Sequence, residues 1–304
     1  MNKKIAKINR PLFSTKTLVG FLHGQIPLHF ALIFLILILG LIFSLINSNF
    51  FSLENIFNII VQTSILAVVA IGMTLIIIGG GIDLSVGSNL ALGGAVGVTL
   101  FSLTGSPFLG ITATILTSSL IGLMNGFLIG ILNINPLMTT LATMALARGL
   151  TLGILNAVSI RVEDKNFLWL GQASIGPIPA VVPLLIILYL LFNFFLKRSS
   201  FGLKLFAVGG NNPAAIASGV KSKTIILATY LFTGAFVGLG SLIAIGRVAS
   251  AQPWIGLGLE FDVITAVVLG GTSLKGGEGN LWGTFLGAIL MGLIGNGLSF
   301  MALS

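Results

Sequence analysis

Cysteine is absent from this sequence of 304 residues, and histidine occurs only twice, as His23 and His29. Without cysteine the chain has no disulfide, no thiolate nucleophile and no cysteine metal site. The two histidines lie near the N-terminus and form no cluster of ligands. We therefore predict no metal site and no cofactor bound by this chain.

Motifs for nucleotide binding and hydrolysis are missing as well. The sequence has no GxxxxGK[ST] phosphate loop, and the stretch GGTSLKGG lacks the Gly-Lys-Ser/Thr ending that such a loop needs. It also has no HExxH or GxSxG motif. We predict that the chain is not an enzyme and does not hydrolyse ATP through such a loop.

Charged residues are scarce: they make up 7% of the chain, against 56% hydrophobic residues, and the mean hydropathy is +1.12. A soluble domain has about one quarter charged residues. The composition predicts an all-α fold, a polytopic transmembrane bundle of about 8 to 10 spans. The 40 glycines favour close helix packing, because small residues let backbones approach each other within lipid.

Basic residues account for the net charge of +8, and they are unevenly placed. Five of the fifteen Lys and Arg residues precede the first apolar run, and five more lie between Lys197 and Lys223, with no acidic residue in either region. Such segments stay in the cytoplasm, so we predict a cytoplasmic N-terminus. Contact with anionic lipid headgroups would explain the same charge, and nucleic acid is not an expected partner.

Eight apolar runs have the length of a membrane span. Six crossings from a cytoplasmic N-terminus return the chain to the cytoplasm at the basic region, in agreement with the charge distribution. Residues 261–271 form a shorter apolar run, predicted as a half-helix or a tilted span. Arg148, within the fifth run, is expected to snorkel or to pair with a carboxylate or a carbonyl. The predicted spans are 28–46, 56–78, 86–103, 109–132, 137–155, 181–196, 225–245 and 281–303.

The glycine-rich stretch GGGIDLSVGSNLALGGAVG, at 79–97, follows the second apolar run. Backbone that bends at membrane depth is tolerated only inside protein or beside a water-filled path. Asp83 is an ionisable residue at this break and is therefore a candidate functional residue. The alternative is that its carboxylate caps the next helix by accepting from the amides of the first turn.

An internal repeat is visible when the chain is shifted by 190 positions, which aligns Gly80 with Gly270 and Gly81 with Gly271. Transporters often consist of two similar halves whose path lies near breaks in corresponding helices. Tight glycine packing alone would be the alternative explanation. We predict a single membrane domain over 1–304, divided into a cytoplasmic segment 1–27, a first half 28–196, a cytoplasmic coupling loop 197–223 and a second half 224–304. The predicted path residues are Gly80, Gly81, Asp83, Ser85, Asn89, Glu260, Asp262, Thr272 and Ser273.

The stretch NNPAAIASG, at 211–219, has a capping Asn, a Pro at the helix start and a closing glycine. It is too short to cross a membrane. It therefore predicts a short cytoplasmic helix that either docks a soluble partner or merely connects two spans.

Two alternatives to a passive path use the few acidic residues. Asp83 and Asp262 could share a proton and activate water in an intramembrane aspartyl protease. Asp83 and Glu260 could instead couple transport to ions or protons in a secondary carrier.

Four stretches carry a resemblance to a known family: LAVVAIGMTLIIIGGGIDLSVGS, NGFLIGILNINPLMTTLATMALARGL, KRSSFGLKLFAVGGNNPAAIASGV and GLEFDVITAVVLGGTSLKGGEGNLWGTFLGAILMGLIGNGL. Together they resemble the membrane permease subunit of a ribose-type ABC importer, over about 28–298. The combination of GGIDLSVGS with ITAVVLGGTSLKGG is highly specific to that family. Family members usually continue beyond the GLxNGL element with a further apolar segment, whereas this sequence stops at Ser304.

The resemblance implies a path for a pentose, a hexose or a related small polar solute. It also implies three kinds of partner: a second permease copy or paralogue, cytoplasmic ATPase subunits that use the ATP, and a periplasmic sugar-binding protein. The family's helix that couples to the ATPase falls on residues 209–219 of this sequence. The residues carried over to that role are Gly209, Gly210, Asn211, Asn212, Pro213, Ala214, Ala215, Ala217, Ser218 and Gly219.

Overall fold

The computed structural model describes residues 27–301, and in that range the chain forms twelve α-helices and four two-residue strands. The predicted N-terminal segment 1–27 lies almost wholly outside the described residues. The helices are α1 (Leu28–Ile46), α2 (Leu53–Ile78), α3 (Val86–Thr104), α4 (Pro107–Gly126), α5 (Pro136–Leu155), α6 (Trp169–Gln172), α7 (Val181–Arg198), α8 (Ser200–Gly210), α9 (Asn212–Ala217), α10 (Ser222–Val248), α11 (Leu259–Leu269) and α12 (Leu281–Phe300). The strands are β1 (Ile160–Arg161), β2 (Ser174–Ile175), β3 (Ile178–Pro179) and β4 (Ser250–Ala251).

Eight of these helices are long and apolar enough to cross a membrane, namely α1 to α5, α7, α10 and α12. Helix α4 continues through a π-helical turn at Phe127–Ile131. The polytopic helical bundle predicted from composition is therefore confirmed. When the π-helical turn is counted with α4, each predicted span agrees with its helix to within three residues at either end.

The helix ends follow from local capping chemistry. The Ser52 hydroxyl accepts a hydrogen bond from the Asn55 amide at 3.2 Å and starts α2. Pro107 and Pro136 each stand in the first turn of a helix, where the missing amide costs nothing. Asn135 adds a side-chain cap, since its Oδ1 accepts from the Leu137 amide at 2.9 Å. Because capping residues lie just before the apolar runs, the helix boundaries could be predicted from the sequence.

Two ends of the bundle can be distinguished by what lies at the C-terminus of α2. There, the Gly277 amide donates to the Ile78 carbonyl at 2.8 Å, and Gly209 of α8 lies against the same carbonyl. We name this end the α9 face, because α8 leads directly into α9. Helix α2 has 26 residues and is about 39 Å long at 1.5 Å per residue, so Leu53 lies at the opposite face.

Helix α10 forms the centre of the bundle, packed against α4 and α2. Glycines permit this approach: a Cβ at Gly122 would collide with the Tyr230 carbonyl, and one at Gly234 with the Ser118 carbonyl. Because α10 belongs to the second predicted half and packs on helices of the first, the halves 28–196 and 224–304 do not form separate units.

The C-terminal half of α2 is buried on every side, whereas α1 lies at the periphery. Ile71 and Met73 of α2 have no exposed surface, but Phe34 and Leu37 of α1 are each 66% exposed. A span whose apolar side chains face outward is suited to contact with lipid hydrocarbon.

After α10 the chain turns back into the bundle without forming a full helix. Strand β4 pairs antiparallel with β1, and residues 252–258 then lead to α11. Gly256 lies against Gly87 at the start of α3, so this segment reaches far from its own end of the bundle. Helix α11 has only 11 residues, about 16 Å, so the half-helix alternative for this region is confirmed.

Candidate functional site

Helices α2 and α11 end in the same backbone motif. Gly80 and Gly271 both have positive φ, at 81° and 87°. The amide following each glycine bonds back five residues, from Gly81 to Ile76 at 2.9 Å and from Thr272 to Val267 at 3.2 Å. This is a Schellman ending, for which glycine is the residue of choice.

The shared motif corrects the register of the internal repeat. Structurally, Gly80 corresponds to Gly271, a shift of 191 and not the 190 positions that paired Gly80 with Gly270. The sequence has three glycines at 79–81 and two at 270–271, so either shift aligns glycine with glycine. Only the φ angle shows which glycine has the left-handed conformation.

The segment that follows the second glycine turn contacts both the first glycine turn and α8. A Cβ on Gly276 would lie 3.0 Å from the Gly80 Cα and 2.7 Å from the Gly209 carbonyl oxygen. Gly276 itself has φ of 82°, so side chains are excluded there by conformation and by space. The path residues predicted near the two breaks, Gly80 and Gly81 on one side and Thr272 and Ser273 on the other, therefore belong to one junction at the α9 face.

Asp83 is buried at this junction. Its Oδ1 accepts from the Ser85 amide at 2.8 Å and from the Ser85 hydroxyl at 2.6 Å. The Asn125 side-chain amide of α4 donates to the Ser85 hydroxyl at 3.0 Å, and the Thr143 hydroxyl of α5 donates to the Asn125 Oδ1 at 2.6 Å. This chain of polar groups joins the start of α3 to α4 and α5.

The capping interpretation of Asp83 needs a correction. Ser85 is the N-cap of α3, and Asp83 accepts from the amide of that N-cap residue, one position before the amides of the first turn. The carboxylate thus fixes the chain just ahead of the helix. A second contact on this turn comes from Tyr230, whose hydroxyl donates to the Ile82 carbonyl at 3.0 Å.

Asn89 and Thr272 carry buried polar atoms without a partner. The Asn89 Nδ2 donates to the Ser118 carbonyl at 3.1 Å, while its Oδ1 has no hydrogen bond within residues 27–301. The Thr272 hydroxyl is likewise unpaired in the described chain. Ser273 shapes the second turn, since its amide donates to the Glu278 carbonyl at 3.1 Å.

Glu260 and Asp262 open α11 in different surroundings. Glu260 is buried, and its carboxylate lies beside Gly87, at the start of α3. Arg148 of α5 stabilises the segment that leads to it by donating to the carbonyls of Pro253, at 2.5 Å, and Ile255, at 3.2 Å. Of the alternatives for Arg148, pairing with carbonyls is confirmed.

Asp262 faces a cavity of about 580 Å³, here named the chamber, which lies between α2, α10, α12 and residues 255–262. Its walls are mainly apolar, with Leu66 and Met291 among them. Besides Asp262, the polar side chains at its rim include Gln62 and Arg247, which were not among the predicted path residues. Gln62 lies inside a predicted apolar run and Arg247 lies two residues after the end of another, which was the available signal for both.

Asp83 and Asp262, the pair required by the protease hypothesis, have separate environments. Asp83 is 2% exposed and bonded to Ser85, whereas Asp262 lines the chamber. No hydrogen bond connects the two carboxyl groups in the part of the chain that the structure describes.

The predicted coupling residues form the most exposed helix at the α9 face. Asn211 ends α8 and starts α9, and its Oδ1 accepts from the Ala214 amide at 3.0 Å. Ala215 is buried against the bundle, while Ile216 is 55% exposed. Gly219, with φ of 83°, turns the chain back toward α10. Asn212, Pro213, Ala214, Ala217 and Ser218 are all exposed, and Gly210 is exposed at the end of α8.

The basic residues between Lys197 and Lys223 surround this helix. Lys204 on α8 and Lys221 before α10 are exposed. Lys223 donates to the Ile131 carbonyl at 3.2 Å, which holds the π-helical end of α4 next to α10. The α9 face therefore presents an apolar tip within a positively charged surface.

Eight spans, two helices with the same glycine ending near one junction, and an exposed helix attached to that junction define a polytopic membrane protein of the kind that moves solutes. The chain belongs to the family described as branched-chain amino acid transport system / permease component, whose model matches residues 55–304.

Relatives within this family include sugar permeases. The chain is 37% identical over 273 residues to the ribose import permease protein RbsC of Escherichia coli (strain K12), covering 88% of this chain and 85% of that protein. It is 33% identical over 284 residues to the D-allose transport system permease protein AlsC of the same strain, covering 90% and 87%. For its L-arabinose transport system permease protein AraH the identity is 33% over 285 residues, covering 94% and 87%. No solved structure matches the chain significantly.

Proposed function

We propose that this chain is the membrane permease subunit of an ATP-binding cassette importer and forms the translocation path for a monosaccharide or a related small polar solute. The observation that carries the proposal is the identity of 37% to a ribose import permease over 88% of the chain. Permeases for ribose, D-allose and L-arabinose all resemble it, which supports the substrate class without selecting one sugar.

The partners follow from this role. ATPase subunits supply the energy from the cytoplasm, and a binding protein delivers the sugar from the periplasm. We assign the ATPase to the α9 face, because the basic residues surrounding α9 are expected on the cytoplasmic side. This orientation places the N-terminus in the cytoplasm of a bacterial inner membrane. A second permease, identical or paralogous, completes the assembly, and lipid surrounds it.

Coupling is carried by the short connection between α9 and the two glycine turns. Movement of the ATPase displaces α9, and α8 transmits the displacement to Gly209, which lies against Ile78 and Gly277. Because Ile78 ends α2 and Gly277 follows α11, both helices move together. Elements packed this closely shift between discrete arrangements and do not bend continuously.

The translocation path combines the glycine junction with the chamber. Gly80, Gly81, Thr272 and Ser273 mark the junction, and Asp262 faces the chamber. Four further residues support the path without lining it, because they fix the start of α3 against its neighbours. They are Asp83, Ser85, Asn89 and Glu260. The sugar crosses without chemical change, and weak contacts suffice because a path that binds tightly cannot release.

Uptake by the reconstituted complex tests the proposal. The permease, its ATPase and its binding protein are placed in vesicles, and uptake of labelled D-ribose, D-allose and L-arabinose is measured with and without ATP. We expect ATP-dependent uptake of at least one sugar. Uptake by this chain alone, or uptake that stops when a proton gradient is dissipated while ATP remains, would contradict it and favour a secondary carrier.

The assignment of the α9 face has its own matched pair of variants. Ile216→Asp places a charge on α9 at a side chain that is 55% exposed, and Ile175→Asp does the same at the opposite face at 59% exposure. We expect the first to reduce co-purification of the ATPase and the second to leave it unchanged. Equal effects of the two substitutions on co-purification would contradict the assignment of α9 to the docking surface.

A further inference from the structure

A second cavity, of about 740 Å³, lies at the opposite face, and we name it the vestibule. All nine residues that line it have polar side chains, in a chain of which only 7% is charged and 56% is hydrophobic. Ligand sites for small molecules typically have volumes of about 300–1,000 Å³. The vestibule therefore has the size of a site for a small molecule and an unusually polar lining.

The lining is built into one side of α2. Glu54, Asn55, Asn58 and Gln62 all line the vestibule and recur at the spacing that puts residues on one side of a helix. Gln62 lies nine residues beyond the start of α2 at Leu53, about 14 Å along the helix axis. Polar residues this far along a span are costly in contact with lipid and usually face protein or water.

Some of these polar side chains form hydrogen bonds within the fold, and others form none. Asn55 and Asn296 of α12 donate to each other's Oδ1, each at 3.0 Å. By contrast, the side chains of Glu54 and Asn58 are exposed and form no hydrogen bond or ion pair within the described chain. The vestibule thus presents unused donors and acceptors on a rigid wall.

Gln62 and Arg247 lie where the vestibule meets the chamber, because both line the two cavities. The Arg247 Nη2 donates to the Gln62 Oε1 at 3.4 Å. This long contact is a weak hydrogen bond, and both side chains have several rotatable bonds. It separates a polar cavity from a mainly apolar one and can open by side-chain rotation alone.

We propose that the vestibule is the receiving site for a neutral polyhydroxylated solute, and that the Gln62–Arg247 contact is the gate between it and the chamber. The proposal rests on the proposed function and adds a site and a gate to it. Amide, hydroxyl and carboxylate groups together donate to and accept from sugar hydroxyls. One Glu and one Arg leave the lining without net charge, which fits a neutral solute better than an anion.

The absence of cysteine makes the site directly testable, because an introduced cysteine is the only one in this chain. In the complete complex, Asn58→Cys is labelled from the opposite face with a membrane-impermeant methanethiosulfonate reagent, with and without D-ribose, D-allose or L-arabinose. We expect the transported sugar to slow labelling at least threefold. Thr104→Cys, exposed at the end of α3 on the same face and outside the vestibule, provides the control and should show no protection.

Transport tests the same site. Asn58→Leu should raise the sugar concentration for half-maximal uptake by about three- to tenfold, the effect of one lost hydrogen bond. Asn193→Leu makes the identical change on α7, outside both cavities, and should leave uptake unchanged. Because labelling and uptake are independent measurements, poor assembly of one variant does not remove the test.

The gate is tested by linking Gln62→Cys to Arg247→Cys with a reducible bifunctional thiol reagent. Uptake by the double variant should fall at least tenfold on linking and return after reduction, relative to the same variant without reagent. Thr104→Cys, which lines neither cavity, receives the same reagent as the control and should keep its uptake. Normal uptake by the linked protein would overturn the gate.

The receiving site would be overturned if no sugar slowed the labelling of Asn58→Cys. It would also be overturned if a disulfide formed between the Asn58→Cys residues of two permease copies, because another subunit would then fill the vestibule. Absence of uptake by the wild-type complex would instead contradict the proposed function.

Discussion

The amide of Gly277 donates to the carbonyl of Ile78 at 2.8 Å, which ties the turn after α11 to the end of α2. The two residues lie about 200 positions apart in the sequence. Gly209 of α8 fills the remaining space beside this bond, since a Cβ there would lie 2.7 Å from the Gly277 nitrogen and even closer to the Ile78 carbonyl. Three segments therefore share one junction, and none can be displaced there without the others.

The first prediction concerns Gly209→Ala. The added methyl group would force α8 away from Ile78 and Gly277, so we expect loss of the 2.8 Å hydrogen bond and destabilisation by about 1–3 kcal/mol. Thermal unfolding of the purified chain in detergent gives the change. Gly149→Ala is the matched control, because a Cβ at this helical glycine of α5 meets nothing within 4 Å. It should be neutral or stabilising by up to about 1 kcal/mol.

The second prediction is a double-mutant cycle on Asn55 and Asn296. Either Leu substitution leaves the other buried amide without its partner, at a cost of about 1–2 kcal/mol. Asn55→Leu should cost more, because the Asn55 Nδ2 also donates to the Phe50 carbonyl at 2.8 Å. The double variant should be less destabilised than the sum of the two. Strict additivity in unfolding measurements would mean that the pair contributes nothing.

Much of the fold could be predicted from the sequence because helix ends are local. Ser52, Pro107 and Pro136 each stand beside an apolar run, and the structure uses each of them at a helix start. Helix α8 was missed: its first residues belong to the stretch KRSSFGLK, at 197–204, which was interpreted only as a basic segment. Charge near a membrane surface dominated that interpretation, although Ser199 caps the helix by accepting from the Gly202 amide at 3.1 Å.

The site was less predictable because its contacts connect distant parts of the chain. Asp83 could be chosen as the one acid in a glycine break, but its link through Ser85 to Asn125 and Thr143 depends on how α3, α4 and α5 pack. The chamber and the vestibule likewise arise between α2, α10 and α12. Gln62 and Arg247 are inconspicuous in the sequence and become noticeable only where those helices meet.

The third prediction separates the two interpretations of Asp83. Asp83→Ala leaves the buried amide and hydroxyl of Ser85 without an acceptor and should destabilise the chain by about 1–3 kcal/mol. Asp83→Asn keeps an oxygen for these donors and should lose about 1 kcal/mol or less. Unfolding and uptake are measured on both. Wild-type stability with lost uptake in Asp83→Asn would show that the negative charge serves transport and not only the fold.

The fourth prediction concerns Arg148 and the segment that turns back into the bundle. Residues 252–258 lack a helix to satisfy their backbone, and Arg148 supplies donors to the carbonyls of Pro253 and Ile255. Arg148→Leu removes these donors and should increase amide hydrogen exchange across 252–258 by at least tenfold, which corresponds to about 1.4 kcal/mol of local opening.

Arg148→Lys tests whether charge alone is enough. A lysine keeps the positive charge near Glu260 but lacks the planar guanidinium that reaches two carbonyls from one nitrogen, so exchange should lie between the wild type and Arg148→Leu. Lys204→Leu, at an exposed position on α8 at the other end of the bundle, removes a charge without touching this segment and should leave its exchange unchanged. If Arg148→Leu exchanged at the wild-type rate, the segment would be held by Gly256 packing against Gly87 and not by the arginine.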